Sequence, residues 1–236
     1  MYIDWTYIIL VLPAVIFTMI CSAKVKSSFA KYAKVYNQTG LTGAEAARQV
    51  LLANGVTDVT IGTVSGTLSD HYDPRSKTIN LSPDVYGSSS VAAIGVACHE
   101  AGHAVQHAEN YWPLTFRNMI IPATNIGSKL AIPLILLGIL FSYMGDIFIY
   151  MAYAGVGCFA LSTLFQLVTL PTEFNASRRA LKAINQQGLL TDQERSGAKK
   201  MLSAAAMTYV AALAVSVMQL LRLLIIVGGR GSRRRR

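Results

Sequence analysis

The sequence predicts a mainly α-helical integral membrane protein in which four apolar helices carry a small polar α+β part. Three observations lead there. Apolar residues make up 53% of the 236 and charged residues only 14%, whereas a soluble domain of this size carries about a quarter charged residues. The mean hydropathy is +0.41, and the apolar residues are gathered into four runs, each near the ~20 residues that a helix needs to cross a bilayer core. Between the first two runs lies a polar stretch that carries helix and strand signals in turn.

In chain order, the first run extends from about Trp5 to Ala23. It follows Asp4 and no Lys or Arg, so it lacks the basic start of a cleaved signal and reads as a permanent anchor. Lys24 to Tyr36 mixes basic and aromatic residues, and reads either as a juxtamembrane helix on anionic headgroups or as a solvated linker. "LTGAEAARQVLLANGV" is punctuated as a helix, with Thr42 as cap, Glu45 completing a capping box and Gly55 as the stop. "DVTIGTV" reads as a strand, and "LSDHYDPRSKTINLSP" as two short strands around the turn Asp73-Pro74-Arg75. The second of these, Thr78 to Ser82, is the last strand before a helix from about Val91 to Glu109, with Ser88, Ser89 and Ser90 as candidate caps. The runs from about Ile120 to Tyr143 and from Phe148 to Leu170 form a hairpin turned at Met144, Gly145 and Asp146. The fourth run, Ala204 to Val227, contains Arg222. It either crosses, or is re-entrant, or packs on the protein without crossing.

The net charge of +9 comes mainly from short basic clusters beside these runs, so it is first a topology signal. No basic stripe interleaved with aromatics appears, which argues against nucleic acid as a partner. Lys24, Lys26, Lys31 and Lys34 follow the first run, Arg117 precedes the second, and Arg178, Arg179, Lys182, Lys199 and Lys200 lie between the third and fourth. By the positive-inside rule both polar connections face the cytoplasm. The C-terminal "GGRGSRRRR" then falls on the other side, against the rule. Cys21, Cys98 and Cys158 form no close pair, and the first and last lie in long apolar runs, which argues against a disulfide framework or a cysteine-based zinc site.

The chemistry is concentrated in "VACHEAGHAVQHAEN". A four-residue step on a helix turns about 400°, so His99 and His103 project from one face one turn apart. Two imidazoles so placed can share a zinc ion, and Glu100, beside the first, is positioned to take a proton from a zinc-activated water that attacks a peptide carbonyl. His107 continues the same step, but no glycine between His103 and His107 turns the chain back. On a continuous helix His107 lies roughly 12 Å along the axis from His99, too far to share its ion. It reads as a substrate-side or supporting histidine, or as the plain end of the helix.

The usual alternative is a glutamate from another helix, which leaves the fourth position for water. Glu45 caps an early helix, Glu109 points away from the histidine face, and Glu194 sits in the polar "TDQERSG". Glu173 remains, in "TLPTEFNASRRAL", where Pro171 would start a new helical turn. Its other reading is a local pairing with Arg178 or an ordinary N-terminal charge. His71 and Tyr72 are candidates for binding substrate or stabilising an oxyanion, with turn-side structural roles as the alternative. Cys98 abuts the first histidine as either a redox-sensitive thiol or a small buried hydrophobe.

At these residues the chain resembles the YugP family of bacterial membrane zinc metallopeptidases and, more distantly, HtpX-type proteases. The resemblance rests on "LTGAEAARQVL", "LSDHYDPRSKTINLS", "SVAAIGVACHEAGHAVQH", "FQLVTLPTEFNASRRAL" and "GAKKMLSAAAMTYVAA", and covers nearly the whole chain. It implies His99, His103 and Glu173 as zinc ligands and Glu100 as catalytic base, a gluzincin-like set. In related glutamate-type zinc proteases an aspartate four residues past the ligand glutamate orients the first histidine. Ser177 holds that position here, and Asn175 stands where an acidic residue is expected; both become candidates for supporting the ligands, with Ser177 a weaker acceptor than a carboxylate.

The expectation is therefore a zincin-like α+β metalloprotease part facing the cytoplasm from a multi-pass cell-membrane protein. Its divisions are a transmembrane anchor (1–23), the zincin-like part with the HExxH helix (24–118), a transmembrane hairpin (119–170), a helical segment with the third ligand (171–203), and a fourth membrane helix with a basic tail (204–236). The expected cofactor is Zn2+. The expected partners are the lipid bilayer and a protein or peptide substrate, itself a membrane or membrane-associated protein and added as a strand along Thr78 to Ser82; membrane protein partners or a second copy are further ones. Membrane protein quality control is one role for such an enzyme. A catalytically weak scaffold or adaptor with a zinc site is the alternative.

Overall fold

Local signals set most of the element boundaries. The structure, a computed structural model, describes residues 4–234, so most of the terminal arginine cluster, and with it the side on which that tail lies, falls outside the described side chains. The chain forms two compact units, one comprising Cys21–Thr115 and Pro171–Thr208, the other Met1–Ile20, Phe116–Leu170 and Tyr209–Arg236.

In the first, polar unit, helix α1 (Leu12–Tyr32) contributes its second half, so the basic-aromatic stretch Lys24 to Tyr32 is helical. Helix α2 (Gly43–Ala53) starts at the expected capping box: Thr42 accepts from the Glu45 N–H, and the Glu45 carboxylate accepts from the Thr42 N–H at 2.8 Å. Such a cap contributes about 1 kcal/mol. Gly55 ends the turn with a φ of +69°, a region that only glycine enters freely.

Three short strands follow: β1 (Thr60–Thr63), β2 (His71–Asp73) and β3 (Thr78–Leu81). Their spatial order is β1-β3-β2. β3 pairs in parallel with β1, Ile61 opposite Ile79, and antiparallel with β2, Tyr72 opposite Ile79. This corrects one expectation. Thr78 to Ser82 is the central strand, with both edges occupied, and it cannot accept a substrate strand. The free edge next to the histidine helix belongs to β2.

A single turn, α3 (Pro83–Tyr86), leads to α4 (Val91–Ala108), where Ser90 is the serine that caps, accepting from the Ala93 N–H at 3.1 Å. α4 is built largely of alanine and glycine, and Ala92, Ala93, Ala97, Ala101 and Ala104 are all buried. Such small side chains let neighbouring elements pack close on several of its sides. The core around it includes Val50, Ile79, Leu81, Ile94, Ile184 and Leu189.

The remaining helices are α5 (Trp112–Leu140), α6 (Asp146–Gln186) and α7 (Asp192–Arg234). Pro171 does not begin a new helix as expected; it lies inside α6, which runs on unbroken. Glu194, in the polar "TDQERSG", is buried, and its carboxylate accepts from the N–H groups of Gln38 and Thr191, fixing the start of α7.

Among the described residues four helices are long and apolar enough to cross a membrane, and the second unit holds parts of each. α5 and α6 turn at residues 141–145 and approach closely: a Cβ on Gly155 would come 2.8 Å from the Ala131 carbonyl oxygen. α7 is continuous alongside them, with Leu223 and Val227 buried against Ile135, Ala152 and Val156. Arg222, the residue that made this run questionable, donates to the Asp4 carboxylate and stacks over the Tyr7 ring, 5.5 Å from its centroid. The guanidinium is thus paired within the helical bundle, the arrangement that a charge in a membrane span requires.

Candidate metal centre

The helical step on α4 does what the spacing implies. His99 and His103 sit edge to face, with ring centroids 4.8 Å apart and planes at 86°. Glu173 enters from α6, its Oε2 3.4 Å from His99 Nε2 and 3.6 Å from His103 Nε2. The ligand atoms of these three residues lie within 4.8 Å of one another, and this is the group of potential metal ligands found among the described residues. α4 and α6 meet backbone to backbone beside it, since a Cβ on Gly102 would stand 2.8 Å from the Ala176 carbonyl oxygen. The glycine of H-E-A-G-H is what allows the glutamate helix to come so near.

The electrostatics fit a cation. Glu173 is 3% exposed, where an uncompensated carboxylate costs several kcal/mol. Burial pushes its carboxyl up, but the adjoining His103 and His99 imidazoles outweigh burial and hold it below the ordinary carboxylate range. At His103 burial lowers the value, yet the Glu173 carboxylate 3.6 Å away, the charge of Glu100 and the Gln106 contact carry the imidazole above its usual one. The outer ring nitrogens are already engaged, His99 Nδ1 with Ser177 Oγ at 3.1 Å and His103 Nδ1 with Gln106 Oε1 at 3.0 Å. Both Nε2 atoms are left to converge with the carboxylate. Two imidazoles and one carboxylate with supported outer nitrogens are the donor set of a zinc site that retains an open position.

Glu100 lies on the neighbouring face of α4, buried to 8% exposure, and its Oε2 accepts the Tyr72 backbone N–H at 2.9 Å. That N–H leaves β2 on the side away from β3, so the sheet edge itself clamps the carboxylate. The Tyr72 hydroxyl meets His107 Nδ1 at 2.8 Å; burial, then the charges of Asp58 and Asp73, push this phenol up to about 12, so it stays a neutral hydroxyl. His107 thus stands outside the three-residue group and is tied to β2. His71 is not brought to the site. It is exposed and bonds Ser69 O and the Asn80 amide from the opposite face of the same strand.

Asn175 makes no hydrogen bond to either histidine among the described residues; its Oδ1 accepts from Gln106 Nε2 at 2.9 Å and from Arg179 Nε at 2.7 Å. Glu109, directed away from the centre as expected, pairs with Arg179 at 2.7 Å. The Cys98 thiol is fully buried, and burial pushes it up to about 12, so it is a core hydrophobe and not a reactive thiol. Two contributors are not anticipated from sequence. One is the Tyr72 backbone, which carries no side-chain signal. The other is Gln106, which shows only as a lone amide three residues past His103 on an otherwise apolar helix.

Comparison with known proteins agrees with this chemistry. The family described as "Putative neutral zinc metallopeptidase" matches residues 7–228. "Putative membrane protease YugP" of Bacillus subtilis (strain 168) is 45% identical over 220 residues, covering 93% of this chain and 96% of that protein. No solved structure matches.

Proposed function

The chain belongs to the "Putative neutral zinc metallopeptidase" family and is similar to the "Putative membrane protease YugP", and on that premise we propose that it is a membrane-anchored zinc endopeptidase cutting membrane or membrane-associated proteins. The observation that carries the reading is the convergence of His99, His103 and Glu173 beside a carboxylate, Glu100, that the sheet edge holds in place.

A zinc ion held by the three ligands would supply Lewis acidity toward water and toward the scissile carbonyl. Glu100 accepts the proton that water loses and delivers it to the leaving amine. The Tyr72 N–H keeps Oε2 of Glu100 fixed, and the other carboxylate oxygen has no hydrogen-bond partner among the described residues. Tyr72 and His107 flank that side of α4, and the neutral Tyr72 hydroxyl is a donor for the oxygen that gains charge at the attacked carbonyl. Substrate lies extended along the outer edge of β2, where the Tyr72 carbonyl projects on the same side as its N–H. The basic stretches around Lys24 to Lys34 and Arg178 to Lys200 support a cytoplasmic site.

The test uses the full-length chain purified in detergent, with casein as substrate. Cleavage should stop when zinc is removed by 1,10-phenanthroline and return when zinc is restored. Cleavage that persists through chelation would refute the proposal.

A further inference from the structure

We propose that Gln106 and Asn175 are positioning residues that set the tautomer of His103 and so present its Nε2 lone pair to zinc; this rests on the zinc reading above. The orientation of each amide is fixed by a group whose role is unambiguous. Gln106 Nε2 lies 2.9 Å from the Thr172 backbone carbonyl, which can only accept. Nitrogen therefore faces α6 and oxygen faces His103 Nδ1, at 3.0 Å. An amide oxygen can only accept, so Nδ1 carries a proton, and the neutral form of His103 that binds a metal is the one with Nε2 bare.

The second amide is pinned in the same way. Arg179 Nε can only donate, and it does so to Asn175 Oδ1 at 2.7 Å. The same oxygen accepts the other Gln106 proton at 2.9 Å. Arg179 is held in turn by Glu109 at 2.7 Å. A continuous chain thus runs from an ion pair through two amides to one ligand. Its inner member, Gln106, is fully buried, and its outer members, Asn175, Arg179 and Glu109, line a cavity of about 490 Å3.

His99 has no such device. Its Nδ1 meets the Ser177 hydroxyl, which can donate or accept and leaves the tautomer open. The two ligands are unequally prepared: His103 is preset, and His99 adapts when the ion arrives. Asn175, where an acid is expected, is suited to this arrangement because it takes two donors without placing a second buried charge beside Glu173.

Zinc affinity, read by competition with a chromophoric chelator on the full-length chain in detergent, tests this without recourse to activity. Gln106→Leu is expected to weaken zinc 10–100-fold, and Asn175→Leu about tenfold. Asn175→Asp, which still accepts from Gln106 and Arg179, should stay within about threefold of the parent. Parental affinity in Gln106→Leu, with unchanged helical circular dichroism, overturns the proposal. Should that variant fail to fold, the half-buried Asn175 pair decides, and equal affinities for the leucine and aspartate variants overturn it. A parent chain that binds no zinc would overturn the proposed function itself, an outcome distinct from both.

Discussion

Glu100→Gln is expected to abolish peptide-bond cleavage while leaving the zinc in place. Glutamine matches glutamate in shape, and its amide oxygen can still accept the Tyr72 N–H that now holds Oε2 at 2.9 Å. The sheet edge therefore keeps its contact and α4 its packing. What is lost is basicity, because an amide does not take a proton from water near neutral pH. General-base catalysis contributes typically about 10²–10⁴-fold, so activity should fall by at least that range. Casein cleavage and zinc content measured on the same preparation separate the two consequences. Equal cleavage by the variant removes Glu100 from the mechanism, whereas loss of zinc would show that the carboxylate holds the ion.

Glu173→Gln should do the reverse and empty the site. The carboxylate is the one anionic member of the His99, His103 and Glu173 group, and it arrives from a different helix. Structural zinc sites bind with about 10–16 kcal/mol in all. Spread over four positions, the loss of one good ligand amounts to about 3 kcal/mol, or roughly 10²–10³-fold in affinity. Glutamine preserves the volume, so a cavity is not the cause. Zinc retained after dialysis at the parental level would mean that another residue is the third ligand.

The site was legible in the sequence where its geometry is local. The step from His99 to His103 follows from helical pitch alone, and the adjacent Glu100 comes with it. The Thr42–Glu45 box and the cap at Ser90 are likewise short-range signals, and both form. Glu173 was reachable because so few acids remained once those with other evident duties were set aside, and the structure brings it to both histidines.

What sequence could not reveal depends on tertiary pairing. Nothing local in Thr78 to Leu81 says that β1 will dock in parallel on its far side, which makes β3 central and leaves β2 as the edge. Pro171 signals a helix start by propensity, but α6 carries it within an unbroken helix. In Ser177 the weaker acceptor for His99 was readable from its position, and its hydroxyl does meet that ring. Gln106 was invisible for a different reason: its importance lies in contacts with Thr172 and Asn175, on a helix far along the chain. Arg222 shows the same limit in the apolar unit, where its partner Asp4 lies near the opposite end of the sequence.

The central claim is that one zinc ion is held by His99, His103 and Glu173, with His107 outside its coordination. X-ray absorption at the zinc edge of the purified full-length chain tests this most directly. Two imidazole nitrogens are expected at about 2.0–2.1 Å, with the remaining ligands all oxygen at about 2.0–2.2 Å. A third imidazole, or a sulfur ligand near 2.3 Å, would contradict it.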